Sequence, residues 1–159
     1  MKRTLSHFDS AGQVSMVDVS SKPVTPRTAT AHAFVVMSRD VIEALPENKK
    51  GNPLEVARIA AISAAKKTSD LIPLCHQLPL THVGVEFETK ADGIAILATT
   101  ATAARTGVEM EAMVAVSIAA LTIYDMTKAL DKGIEIRDVH LVEKTGGKSA
   151  TYRRKQAAK

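Results

Sequence analysis

The run Ala112 to Tyr124, AMVAVSIAALTIY, is apolar almost all the way round a helix. A helix lying on one sheet needs only one apolar stripe, so this one has a second side to cover. That side is assigned to another subunit, the alternative being cover by the N-terminal segment of the same chain. The alanine-rich ARIAAISAA, residues 57–65, permits similarly close backbone approach.

The rest of the chain arranges itself around two helices. Thr106-Gly107-Val108-Glu109 has the form of a capping box opening the apolar helix, which runs to about Leu130 and stops before Gly133. Upstream, Asn52-Pro53-Leu54-Glu55 supplies a cap, a proline at the first helical position and an acid in the first turn, predicting a helix over Pro53 to Ser69. Alternating apolar runs predict strands at VSMVDVS (14–20), TATAHAFVVMS (28–38), THVGVEFETK (81–90), GIAILATTATAAR (93–105) and IEIRDVHLVEK (134–144). RDVIEAL (39–45) reads as a short helix, and Ala91-Asp92-Gly93 as a hairpin turn. From the second of these strands onward, and leaving out the short helix, the order is β-α-β-β-α-β. The expected fold is α+β, a ferredoxin-like sandwich with an antiparallel sheet and helices on one face. The 159 residues suit one domain, 1–159, with 1–12 and 150–159 as flexible tails.

Charge narrows the partners. The formal charge is +4, yet six of the 21 basic residues sit in the two tails, so the body carries fewer basic than acidic residues. With aromatics at 3% and no Trp, stacking platforms for single-stranded nucleic acid are missing. The expectation is no nucleic-acid and no membrane partner; the competing reading is a nucleotide- or RNA-binding oligomer that uses the basic tails. One cysteine forms no internal disulfide, and the N-terminus has no long apolar segment, which together predict a soluble cytoplasmic protein.

Several residues could carry chemistry. In DLIPLCHQLPL, residues 70–80, Pro73 and Pro79 bracket Leu74, Cys75 and His76. Neighbours on an extended chain point to opposite faces, which argues against a direct Cys75–His76 nucleophile pair. His76 and His82 would lie roughly 20 Å apart on a strand, too far to share a metal. Asp125 and Lys128 stand one turn apart at the end of the apolar helix, where partial burial could lower the lysine's pKa toward acid/base use. With Glu109 occupied as a capping acid, Glu111 is the better functional candidate. It stands roughly 21 Å from Asp125 along an ideal helix, so one site using both needs a large substrate or a second subunit. TGGKS, residues 145–149, lacks the first glycine and the following helix of a phosphate loop, but Lys144 and Lys148 flank a glycine turn able to meet phosphate. Lys49 and Lys50 precede a helix N-terminus, which also favours anions.

Taken in order, MVDVSSK, KKGNPLEVARIAAISAAKKTSDLIPLCH, TGVEMEAMVAVSIAALTIYDMTKA and VEKTGGKS resemble the cyclic pyranopterin monophosphate synthase family, the molybdenum cofactor biosynthesis protein MoaC, over about nine-tenths of the chain. The resemblance implies a lyase that rearranges 3′,8-cyclo-7,8-dihydroguanosine 5′-triphosphate to cyclic pyranopterin monophosphate with release of pyrophosphate, using no metal and no cofactor. It implies substrate contacts at Leu74, Cys75, His76, Met110 and Glu111, and Asp125 as the catalytic acid/base residue. Lys50, Lys128 and Lys144 match lysines of the family's site, Lys128 being paired with Asp125 in proton transfer. The family's hexamer, a trimer of dimers with sites between subunits, would join Glu111 to Asp125. Two positions depart from its pattern: Gln77 replaces the usual proline after the histidine, and Ala150 a common glycine.

Overall fold

The structure is a computed structural model and describes residues 7–8, 11–148 and 151–155. Its centre is an antiparallel sheet of β1 (Thr25–Val36), β2 (Leu80–Lys90), β3 (Gly93–Ala104), β4 (Glu135–Thr145) and β5 (Tyr152–Arg153), in the order β2-β3-β1-β4-β5. The first four give the split β-α-β-β-α-β arrangement, an α+β sandwich as the element order predicts. Along β1, Ala29, Ala31, Ala33 and Val35 face the helices and are buried, while Thr30, His32 and Phe34 take the other face. The two-residue turn Ala91-Asp92 joins β2 to β3 with Lys90 opposite Gly93, where any Cβ would stand 2.1 Å from the Val35 carbonyl oxygen.

Among the described residues the α-helices are α1 (Arg39–Glu43), α2 (Pro53–Ala65), α3 (Thr68–Leu71) and α4 (Glu109–Thr127). Asn52 caps α2, its side-chain oxygen accepting from the N–H groups of Leu54 at 3.0 Å and Glu55 at 3.4 Å. The helix expected to continue to Ser69 instead ends at Ala65. The chain turns at Lys66-Lys67, and Thr68, the first residue of α3, donates its hydroxyl to the Ala65 carbonyl at 2.9 Å.

Ile94 and Ile96 of β3 and Val116 and Ile123 of α4 are fully buried between sheet and helices. Small side chains set the spacing: Ala57 and Ala61 of α2, and Ala112, Ala115 and Ala119 of α4, are wholly inaccessible. α4 is long and apolar enough to cross a membrane by length and composition, but it lies against β1, β3 and α2. Thus α2 of the same chain covers much of the side that the sequence assigns to another subunit or to the N-terminal segment. Leu121 on α4 and Ile59 on α2 stay more than half exposed.

Two further expectations change. Residues 14–20 form no strand; Val14 makes an isolated bridge to Phe8, and the segment runs on without a ladder. Within the expected C-terminal tail, Tyr152–Arg153 pair with Glu143 and Lys144 of β4, and Arg153 lies 3.2 Å from the Glu143 carboxylate.

Candidate active site

Chemistry-bearing side chains gather at both ends of α4. At its N-terminal end, Ile72 to Cys75 form a turn closed by the Cys75 N–H on the Ile72 carbonyl at 3.1 Å, with Pro73 at the second position that its fixed φ favours. The chain then runs extended into β2. His76 Nε2 donates to the Val17 carbonyl at 2.9 Å, and Arg105 donates to the carbonyls of Ser20 and Lys22, so residues 17–22 are strapped across this end of the sheet. These long-range tethers give the strap its hydrogen bonds in place of the strand pairing its alternation predicts.

The strap, the Ile72–Cys75 turn and the first turn of α4 enclose a cavity of about 490 Å³. Leu74, Cys75, His76, Met110 and Glu111 all line it, so one surface collects five of the sequence candidates. Glu111 is only 4% exposed, and burial pushes its carboxyl up to about 7, with the Glu109 charge adding to the shift. Burial likewise raises the Cys75 thiol, and the Glu111 charge raises it further. Neither environment favours a thiolate nucleophile.

Beside this cavity, and sharing Lys22, Thr106, Gly107 and Glu109 with it, lies a second of about 420 Å³. Its cations are Lys22, Arg27, Arg105, Lys144 and Lys148, facing one carboxylate, Glu109. Gly146 and Gly147 have φ of +86° and +77°, and a Cβ on Gly146 would meet the Pro26 carbonyl oxygen at 2.3 Å. Glycine is therefore needed for this turn to lie against β1. The capping-box expectation fails here. Val108 precedes α4 without a side-chain cap, and Glu109, the first helical residue, turns its carboxylate to Lys144 Nζ at 2.6 Å. Val108 is pinned by burial and by the Thr100 hydroxyl on its carbonyl at 3.0 Å, which moves the helix start past the position the box requires.

The other end of α4 is open to solvent. Lys128 Nζ pairs with Asp125 at 2.8 Å, both side chains being at least half exposed. The hydrogen bond from Lys128 and its charge hold the Asp125 carboxyl below its ordinary value, with a smaller contribution from Lys50. The same pair raises Lys128 rather than lowering it, contrary to the sequence expectation, because the hydrogen bond to Asp125 and that carboxylate's charge outweigh desolvation. The structure therefore brings Leu74, Cys75, His76, Met110 and Glu111 together with Lys144 next door, and keeps Asp125, Lys128 and Lys50 apart from them within one chain. Lys22, Arg27 and Arg105 were not among the sequence candidates; the one local hint is that Arg105 directly precedes TGVEMEA. Among the described residues no group of three His, Cys, Asp or Glu side chains could hold a metal ion.

A profile described as the MoaC family matches residues 16–147. The chain belongs to the MoaC family. Relatives named cyclic pyranopterin monophosphate synthase match the chain across nearly their full lengths. That of Parvibaculum lavamentivorans is 52% identical over 157 residues, covering 96% of this chain and 98% of the relative. That of Staphylococcus carnosus is 49% identical, covering 94% and 96%, and that of Desulforapulum autotrophicum 54%, covering 92% and 93%. The MoaC match spans the strap, the Asp125–Lys128 pair and the lining of both cavities except His7 and Lys148.

Proposed function

We propose that this MoaC-family chain is a lyase converting 3′,8-cyclo-7,8-dihydroguanosine 5′-triphosphate to cyclic pyranopterin monophosphate and pyrophosphate, an early step of molybdenum cofactor biosynthesis, as a soluble cytoplasmic enzyme. The observation that carries this reading is the pair of adjoining cavities. One sets the apolar side chains of Ile72, Leu74, Leu78 and Met110 beside His76 and Glu111 and is sized for a fused-ring base; the other presents five cations and a glycine turn, suited to a triphosphate. A substrate with a base at one end and three phosphates at the other matches that division.

In this reading Leu74, Cys75, His76, Met110 and Glu111 hold the base and sugar. His76 is held in one tautomer by its bond to Val17, and Glu111, titrating near neutrality, can offer or accept a proton at the base. Lys144 exchanges Glu109 for substrate phosphate and neutralises charge as an internal hydroxyl attacks the α-phosphate and pyrophosphate departs. Asp125, a carboxylate held ready by Lys128, takes and returns protons during ring opening and pterin closure; Lys50 adds a cation beside it.

These two groups have to meet. A homo-oligomer, a hexamer built as a trimer of dimers, would set the Asp125 end of one α4 against the Glu111 end of another. Support comes from the length of α4 and from the exposed Ile59 and Leu121 on the helical layer. The test is pyrophosphate release with formation of the cyclic pyranopterin from the cyclic dihydroguanosine triphosphate, run beside light scattering on the same sample. Turnover by an oligomer is expected. A stable monomer with full turnover would remove the shared site, and a folded oligomer that releases no pyrophosphate would remove the activity.

A further inference from the structure

The Asp125 end of α4 depends on a residue outside the groups above. Among the described residues, the Met126 carbonyl in the last turn of α4 receives no N–H from the turn that follows: Lys128 N bonds Tyr124, and Leu130 and Asp131 both bond Thr127. Such a carbonyl is one of the acceptors every helix end leaves open. Asn48 supplies the donor, its Nδ2 lying 2.8 Å from the Met126 oxygen. The same side chain accepts from the Lys50 N–H through Oδ1 at 2.9 Å, and the Asn48 carbonyl accepts from Gly51 N at 3.0 Å. Gly51 has φ +97°, a conformation that reverses the chain before the Asn52 cap of α2. One amide therefore ties the loop ahead of α2 to the end of α4, one residue past Asp125 and two before Lys128.

We propose that Asn48 is a positioning residue for the Lys50, Asp125 and Lys128 cluster, clasping the 48–51 loop to the last turn of α4 and so setting where Lys50 stands. The proposal rests on the reading that this cluster takes part in turnover. Both functions of the amide are required. The NH₂ group fixes the loop to α4, and the oxygen orients the backbone that carries Lys50; alanine supplies neither. A displacement of about 1 Å at a charged group in a reacting site costs up to about 100-fold in rate.

The experiment is a mutant cycle on the full chain, reading kcat/KM for pyrophosphate release and the thermal midpoint. Lys50→Ala and Asn48→Ala are each expected to lower kcat/KM, the latter by about 10- to 100-fold. The double variant should be no more than about twofold worse than Lys50→Ala alone, because Asn48 acts through Lys50. The acid limb of the Asn48→Ala pH profile should also move upward, since Asp125 loses the contribution of Lys50, an effect that general destabilisation would not produce. If Asn48→Ala does not fold, Asn48→Asp serves in its place, keeping the acceptor for Lys50 N–H while removing the donor to Met126. Its loss should likewise vanish in the Lys50→Ala background. Losses that multiply, or an Asn48 variant with wild-type turnover, overturn the clasp. Full turnover by Lys50→Ala overturns instead the placement of Lys50 in the site.

Discussion

Glu111 and Asp125 stand near opposite ends of one helix, and each titrates against the field that the helix itself provides. Glu111 lies in the first turn of α4, where the helix dipole favours an anion, yet its carboxyl is pushed up to about 7. Asp125 lies in the last turns, where the dipole disfavours an anion, yet it is held down. Magnitudes explain the reversal. The dipole contributes roughly 0.3–1 kcal/mol at such positions, whereas the Glu111 shift corresponds to roughly 3 kcal/mol, so burial wins. At the exposed end a direct ammonium contact at 2.8 Å wins by proximity. One helix thus presents a carboxylic acid poised near neutrality at a cavity wall and a committed carboxylate beside two lysines in water.

The largest break in this comparison comes from Asp125→Asn. Removing the ready carboxylate is expected to lower pyrophosphate release by about 10²- to 10⁴-fold, the usual range for a positioned acid/base group. In the wild type, activity that needs the Asp125 anion persists down to a pH below the ordinary aspartate value and then falls; the variant should have no such limb. Single-turnover rates across pH check both statements. A variant within a few-fold of wild type would leave the exposed end as an ordinary surface ion pair.

Glu111→Gln probes the other end by stability. The folded value of about 7 lies above the unfolded value near 4.5, so between them the native state holds a proton that the unfolded chain has released. The stability from this group is complete below about pH 4.5 and is lost as pH rises through about 7. Glutamine keeps the shape and stays neutral, so the two proteins should melt together near pH 4.5. By pH 8 the variant should melt several degrees higher. A gap that is constant with pH would mean that Glu111 titrates alike in the folded and unfolded chains.

Much of the frame was legible from local sequence because local chemistry dictates it. Asn52-Pro53 states where α2 begins, Ala91-Asp92-Gly93 where the hairpin turns, and the alternation in 28–38 which face of β1 meets the helices. Cys75, His76 and Glu111 stood out from the residues themselves and Leu74 and Met110 through family resemblance, but nothing in their spacing announces that a turn and a helix start will share a cavity. What escaped was set by distant partners. Residues 14–20 alternate like a strand, but bonds from His76 and Arg105 tie their end and the residues just beyond to the cavity rim. Glu109 has capping-box spacing, yet Lys144, 35 positions later, takes its carboxylate. Asn48 in PENKKG reads as a loop residue, and only the fold sets it under Met126.

Cys75 gives the smallest expected effect and the finest test of how the two ends differ. Its thiol is raised first by burial and then by the charge of Glu111, so at neutral pH it stays protonated and is a poor nucleophile. Cys75→Ser should keep turnover within about threefold of wild type, because a protonated thiol lining a cavity contributes shape more than reactivity. Alkylation by iodoacetamide at pH 8 should be slower than for a free cysteine. It should quicken in Glu111→Gln, since at that pH the wild-type carboxyl is largely ionised and opposes the thiolate, while burial alone remains in the variant. Equal alkylation rates in the two proteins would mean that the Glu111 charge does not reach Cys75, and a rapid reaction that abolishes turnover would make the thiol a reactive group of the cavity after all.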